Sequence, residues 1–375
     1  MSEIDISEQE LLEKCPGALK VLLKDHSRTR HAIDVMSKDG RKAGKDFQQN
    51  IIWGTNNYFS ETGSGEQDQI TEEQITGEHR KLVMPRALKD KDVQRQRSRD
   101  MAEVFTPAWV CNAQNNLVDD AWFGRSGVFN KESVVNGGHR WEPTVGKIEF
   151  PEEPSSESTK SWRDYVRDIR LEITCGEAPY LASRYDVVEG KLIPVERRVG
   201  LLDRKLRVVS ENTKTSKEWL NWAHEAVRSV YGFEWQGDNL LLAREALLFT
   251  VKDYYEAKAK SEGWRQKFSS VSMKSFAYVI SWNLWQMDGL KMVVPYSCKE
   301  TVEVEKDLFG VETKVRHPCS GCEKGLQTGH NGILCLVRDW KLYDRWLNRK
   351  KKSKTDLPDD SVCQFERLLK TNGDK

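Results

Sequence analysis

The chain has 375 residues, 59 of them basic and 58 acidic, for a formal net charge of +1 at pH 7. So even a balance gives the whole molecule no electrostatic pull toward nucleic acid or membrane, and any basic surface must be local. The length carries one large or two ordinary domains whose cores need no disulfide, and no apolar run reaches the ~18 residues of a membrane span.

The opening MSEIDISEQELLEK is acidic and polar, unlike a secretory signal, which predicts a cytoplasmic protein. Residues 8–24, EQELLEKCPGALKVLLK, predict short helices broken at Pro16-Gly17, and residues 38–100 are polar, charged and punctuated by glycine. Together they predict an N-terminal helical arm over 1–95. From 96 to 297 helical and strand signals alternate, with PEEPSSESTKS (151–161) as a surface loop. A Cys/His loop follows over 298–345, then a basic polar tail over 346–375. There is no internal repeat.

Within the middle segment, Thr106-Pro107 predicts a helix start: the hydroxyl accepts a free N–H of the first turn, and proline costs nothing at N1. Trp109, Ala113, Leu117 and Ala121 recur every four residues, the spacing of a buried stripe. In RLEITCGEAPYLASRYD (170–186), Leu171 and Ile173 alternate as in a strand, Gly176 permits a sharp turn, and a helix is expected over Ala178 to Tyr185. SKEWLNWAHEAVRSV (216–230) sets Trp219, Ala223, Ala226, Val227 and Val230 on one helical face. It runs into Tyr231-Gly232-Phe233-Glu234, a strand ending in a carboxylate, with Asp238 or Asn239 capping the next helix. Strand, turn, helix, strand, acid, helix is half of a doubly wound sheet. There a nucleoside-like ligand lies across the carboxyl ends of the strands, and the second acid accepts hydrogen bonds from the ribose.

The stretches AEVFTP, EITCGEAPYL and YGFEWQGDNLLLAREALL together resemble the amino-terminal part of adenine-N6 DNA methyltransferases of restriction-modification systems, the subunit M type, over roughly residues 80–340. The resemblance implies a Rossmann-like methyltransferase sheet that binds S-adenosylmethionine. By it, Phe105, Thr106 and Pro107 cover the methionine end of the cofactor. Glu172, Cys175, Gly176 and Ala178 form the turn beneath it, Glu234 binds the ribose, and Trp235 covers the adenine. Ala178 stands where the family has a second glycine, and 58 residues separate Gly176 from Glu234, where the generic nucleotide fold uses ~20.

Such enzymes hold the target amine in an Asn/Asp/Ser-Pro-Pro-aromatic loop, and the chain has no Pro-Pro pair. The nearest substitute is Asn283 with Trp285 in SWNLWQMDG. Met273, Phe276, Ala277, Ile280 and Leu284 recur at helical spacing, which assigns Asn283 to a helix end. Three readings stay open. In the first, a DNA methyltransferase component takes its catalytic loop, and a sequence reader, from a second chain. In the second, Asn283 and Trp285 make the enzyme self-sufficient; the third is an inactive DNA-binding or assembly module.

In CSGCEKGLQTGHNGILC (319–335), Cys319 and Cys322 form a C-x-x-C turn that His330 and Cys335 complete as a structural zinc site, with Cys298 as a spare ligand. The alternative is a set of reduced thiols beside a surface histidine. ILCLVRDW predicts a third sheet strand whose Asp339 reaches the cofactor's adenine amine. Arg95, Arg97 and Arg99, then Arg204, Lys205 and Arg207, and RKKK (349–352) are candidate phosphate contacts or solvated faces.

Overall fold

The computed structural model describes residues 8–27, 49–151, 160–306, 312–326, 329–352 and 359–365. The first elements are helices α1 (Glu8–Lys14), α2 (Ala18–Leu22), α3 (Phe59–Thr62), α4 (Glu72–Ile75), α5 (Lys91–Met101) and α6 (Ala108–Phe123), then strands β1 (Asn130–Val135) and β2 (Gly138–Pro143). Next come α7 (Trp162–Arg167), β3 (Arg170–Glu172), α8 (Leu201–Asn212), α9 (Ser216–Arg228), β4 (Val230–Glu234), α10 (Gly237–Glu262), α11 (Ser270–Asn283) and β5 (Leu284–Gln286). Last are β6 (Thr301–Lys306), β7 (Glu312–His317), α12 (Ser320–Glu323), β8 (Leu336–Arg338), α13 (Trp340–Lys352) and β9 (Val362–Gln364). The fold is mixed α/β.

The chain divides into two units, the first within 1–23, 70–232 and 238–284, the second within 24–69, 233–237 and 285–375. Residues 8–23 and 49–69, expected in one arm, therefore belong to different units. Residues 28–48 of that arm, 152–159 of the expected surface loop, and 353–358 and 366–375 of the expected tail lie outside the described residues.

In the first unit, Pro107 is the N-cap of α6, not its first residue, and no side chain of that residue caps the helix. The Asp186 carboxylate instead accepts the Ala108 N–H at 2.8 Å, a charge-assisted bond to the positive end of the helix. The buried face of α6 also differs from the expected stripe: Trp109 and Leu117 are 39% and 69% exposed, while Asn112, Asn115 and Asp119 are buried. Arg204 of α8 is the reason. Its guanidinium meets Asp119 at 2.6 Å, Asn112 at 2.9 Å and Asn116 at 2.8 Å, and the Tyr165 hydroxyl donates to Asp119 at 2.9 Å. A buried ion pair is tolerable only when its remaining polar atoms are also bonded, as here, and hydrophobic periodicity carries no trace of such a face.

Lys205, next along α8, is also buried. Its ammonium donates to the carbonyls of Tyr165, Val166 and Asp168 and to the Ser229 hydroxyl, tying the end of α7 to the start of β4. Burial holds its pKa well below the ordinary lysine value.

The central sheet has the order β3-β4-β5. β3 and β4 are parallel, with Arg170 opposite Val230, Leu171 opposite Tyr231 and Glu172 opposite Gly232. α9 buries Trp219, Ala223, Ala226 and Val227, and α11 buries Met273, Phe276, Ala277 and Ile280, as their spacing predicts. Beyond Gly176 the expected helix is absent: residues 177–185 run through turns, and the next α-helix is α8. On β3 the alternation has the right period but the apolar side faces out, with Ile169, Leu171 and Ile173 67%, 40% and 66% exposed.

In the second unit, Gln286 of β5 organises the core. Its carboxamide accepts the Ile52 N–H at 2.9 Å and donates to the carbonyls of Ile52 and Trp235 at 2.8 and 2.7 Å. β6 and β7 form an antiparallel hairpin, and β8 pairs antiparallel with β9 in a sheet of its own. The third strand of the central sheet is thus β5, and Leu336–Arg338 belongs elsewhere. Among the described residues no helix is long and apolar enough to cross a membrane.

Candidate functional site

Cys298 precedes the β6–β7 hairpin, and Cys319, Cys322 and His330 follow it; the hairpin's antiparallel register returns the chain to its start. The ligand atoms of these four residues lie within 4.8 Å of one another. His330 Nδ1 is 3.5, 3.6 and 3.8 Å from the sulfurs of Cys319, Cys322 and Cys298, and the sulfurs of Cys298 and Cys322 are 3.6 Å apart. A tetrahedral ion bonded to sulfur at ~2.3 Å and nitrogen at ~2.0 Å requires edges of about 3.5–3.8 Å. The four residues could hold a metal ion.

The surroundings orient the ligands. His330 Nε2 lies 2.8 Å from the Leu326 carbonyl, which can only accept. The ring proton is therefore on Nε2 and the Nδ1 lone pair is directed at the three sulfurs. Cys319 caps α12, and the Asn331 N–H donates to its sulfur at 3.3 Å. The backbone N–H of Cys322, with that of Asn331, brings the Cys319 thiol down to about 6. Burial and the neighbouring thiols push Cys298 up to about 11. Gly321, inside the C-x-x-C turn, leaves room for the histidine: a Cβ there would stand 2.8 Å from His330 Nδ1.

The cluster corrects one expected ligand. Cys335 is not part of it; buried in the core, its thiol donates to the Gln286 carbonyl at 3.6 Å. Cys298, the spare in the sequence, takes the fourth place. Only the hairpin between Cys298 and Cys319 could have disclosed this, because their sequence separation has no metal-site spacing.

The glycine turn lies in the first unit, at the carboxyl end of β3. φ is positive at Thr174, Gly176 and Ala178, at 47°, 54° and 58°. The turn is closed by the Ala178 N–H, which donates to the Cys175 carbonyl at 2.7 Å. The Phe105 ring covers Gly176, with Cε1 3.1 Å from where a Cβ would be, and Arg86 lies 5.3 Å from the centre of that ring. Thr106 and Pro107 are half-buried beside it. The Glu172 carboxylate accepts the backbone N–H groups of Tyr180 and Leu181 at 3.3 and 3.2 Å, fixing the far side of the turn. Cys175 packs on β4, its sulfur 3.2 Å from where a Cβ of Gly232 would be. The sequence thus brings Phe105, Glu172, Cys175, Gly176 and Ala178 to one turn.

Glu234 ends β4 in the second unit. One carboxylate oxygen accepts the Gln236 N–H at 3.1 Å, and its carbonyl accepts that of Met287 at 3.0 Å. Trp235 is half-buried, edge-on to Tyr296 at 5.1 Å. Asp339 follows β8 and caps α13, its carboxylate accepting the N–H groups of Lys341 and Leu342 at 2.8 and 3.0 Å. Asn283 is fully buried at the end of α11, donating to the carbonyls of Val227 and Val230, both at 2.9 Å. Trp285 is buried too, its ring N–H 3.4 Å from the Met287 sulfur.

Several of the candidate phosphate contacts are internal. Arg97 is 1% exposed and bridges Glu103 at 2.5 Å and Asp238 at 2.8 Å. Arg204 and Lys205 are buried as described above, and Arg207 spends its guanidinium on Glu211 and the carbonyls of Phe129 and Thr144. Arg95 and Arg99 are exposed and paired with neighbouring acids. No protein-family model, curated protein or solved structure matches the chain.

Proposed function

We propose that this chain is the S-adenosylmethionine-binding component of a DNA adenine-N6 methyltransferase, built on a Rossmann-like sheet and completed by a second chain. The observation that carries the reading is the Phe105 ring seated on the left-handed Gly176 at the carboxyl end of a parallel strand. In doubly wound sheets that end is where a nucleoside ligand lies. The resemblance gives Phe105 to Pro107 the methionine end of the cofactor, above that turn. The chain's own residues would bind and orient the donor, since transfer of a sulfonium methyl to an amine gains most of its rate from positioning.

A partner for the catalytic loop is supported by two features. The sequence has no Pro-Pro pair, and β3 leaves Ile169, Leu171 and Ile173 exposed on one side, although parallel strands ordinarily have both faces covered. The test is transfer of a labelled methyl group from S-adenosylmethionine to adenine N6 in duplex DNA. It is run with this chain alone and with the product of the adjacent reading frame. Transfer only in the mixture supports the proposal. Transfer by the chain alone would replace it with the self-sufficient enzyme.

The metal of the Cys/His cluster we propose to be zinc, because three thiolates and one imidazole are its usual structural set. With all four positions taken by protein, the ion would hold the hairpin and α12 together and would do no chemistry.

A further inference from the structure

The formal net charge of the chain is only +1, yet α13 alone, WKLYDRWLNRKKK, sets six cations against the single acid Asp344. The two sides of this helix have different work. On one side Trp340 is buried and Leu342, Tyr343, Trp346 and Leu347 are half-buried. Trp340 packs edge-on to Tyr343 at 5.4 Å, Tyr343 stacks with Trp346 at 5.7 Å, and the Arg338 guanidinium lies 4.4 Å from the centre of the Tyr343 ring. Arg338 is itself held by Asp359 at 2.8 Å, and Asp339 caps the first turn through two backbone N–H groups. The helix is therefore fixed at its start and along its aromatic side.

On the other side Lys341, Arg345 and Arg349 recur at four-residue steps, all exposed. A four-residue step places successive cations about 6 Å apart along the axis. Arg349 is neutralised by Asp360 at 2.5 Å, which leaves Lys341 and Arg345 as the centre of the row. A basic amphipathic helix that enters a membrane must offer its apolar side. Here Trp340 is buried and its aromatic neighbours lie half-buried against one another and Arg338, so the exposed charges are what the helix offers a partner, and the complement of a regular row of cations is a polyanion.

We propose that the Lys341–Arg345 face of α13 docks the phosphate backbone of duplex DNA. The contact is independent of base sequence, and it positions the substrate DNA of the methyltransferase reading on which the inference rests. Contacts of this type release counterions, and each phosphate neutralised adds about 0.9 to the slope of log affinity against log salt. The full chain is titrated against fluorescent duplexes of two unrelated sequences over a salt series. Lys341→Gln/Arg345→Gln is compared with Lys131→Gln/Lys217→Gln, a control pair of exposed lysines in the first unit. The α13 pair is expected to shallow the slope by about 2, which narrows the affinity change between 50 and 200 mM salt by about tenfold. Both duplexes should respond alike, Arg345→Lys should restore the slope, and the control pair should leave it unchanged. Equal slopes for the wild type and the α13 pair, with melting temperatures equal, overturn the proposal. So does an equal loss of binding to polyglutamate or to anionic vesicles. Titration of S-adenosylmethionine into the same variant separates the two readings: absent cofactor binding with a shallowed slope removes the methyltransferase and leaves the DNA face.

Discussion

A methyl group added at Gly321 would press on the very nitrogen that completes the Cys/His cluster, 2.8 Å away. Gly321→Ala is therefore expected to turn His330 out and lose the metal, with zinc content by plasma emission falling from one per chain to well below half. An unchanged content would show that the imidazole is no ligand. Glu8 and Glu245 offer a second residue-scale test. Glu8 Oε1 and both carboxylate oxygens of Glu245 are buried without a hydrogen-bond partner. Burial raises Glu8 from 4.5 to about 8, and burial with the Glu8 charge raises Glu245 well above its ordinary value. The unfolded chain releases these protons near pH 4.5 while the fold keeps them. Their contribution is thus full below pH 4.5 and is lost as pH rises toward 8. Glu245→Gln, neutral at every pH, should flatten the fall in urea midpoint between pH 5 and pH 8; an unaltered fall would contradict the buried pair.

At the scale of elements, α6 and α8 are joined through polar groups where apolar contact is the usual means. Arg204 and Asp119 are both 1% exposed at 2.6 Å, so removing one leaves the other charged and unpaired in the interior. Asp119→Ala is expected to cost about 3–5 kcal/mol in chemical denaturation. A loss below 1 kcal/mol would mean that solvent reaches Arg204. The same pair explains what periodicity could and could not disclose. For α9 and α11 the inward residues are apolar and the spacing is sufficient. For α6 the apolar residues Trp109 and Leu117 point outward, and the inward face is polar because a distant arginine, 85 residues along, arrives to meet it. On β3 the period of two was legible, but not the side that would be covered.

Over the whole molecule, what was legible was what is local. The strand and turn of 170–176, the strand and carboxylate of 230–234 with α9 and α10 on either side of it, and the C-x-x-C turn all depend on neighbours within a few residues. Features made by distant segments were not legible. The chain's second unit gathers 49–69 with 285 onward, Cys298 joins Cys319 only because a hairpin intervenes, and the third strand is Leu284–Gln286 where Leu336–Arg338 was expected. Methyl-donor binding at the Phe105–Gly176 turn is tested most directly by calorimetric titration of S-adenosylmethionine. One site per chain is predicted for the wild type, weakened at least about tenfold, or about 1.4 kcal/mol, in Phe105→Ala with its melting temperature retained. No heat at any protein concentration, or an affinity indifferent to loss of that ring, would contradict the account.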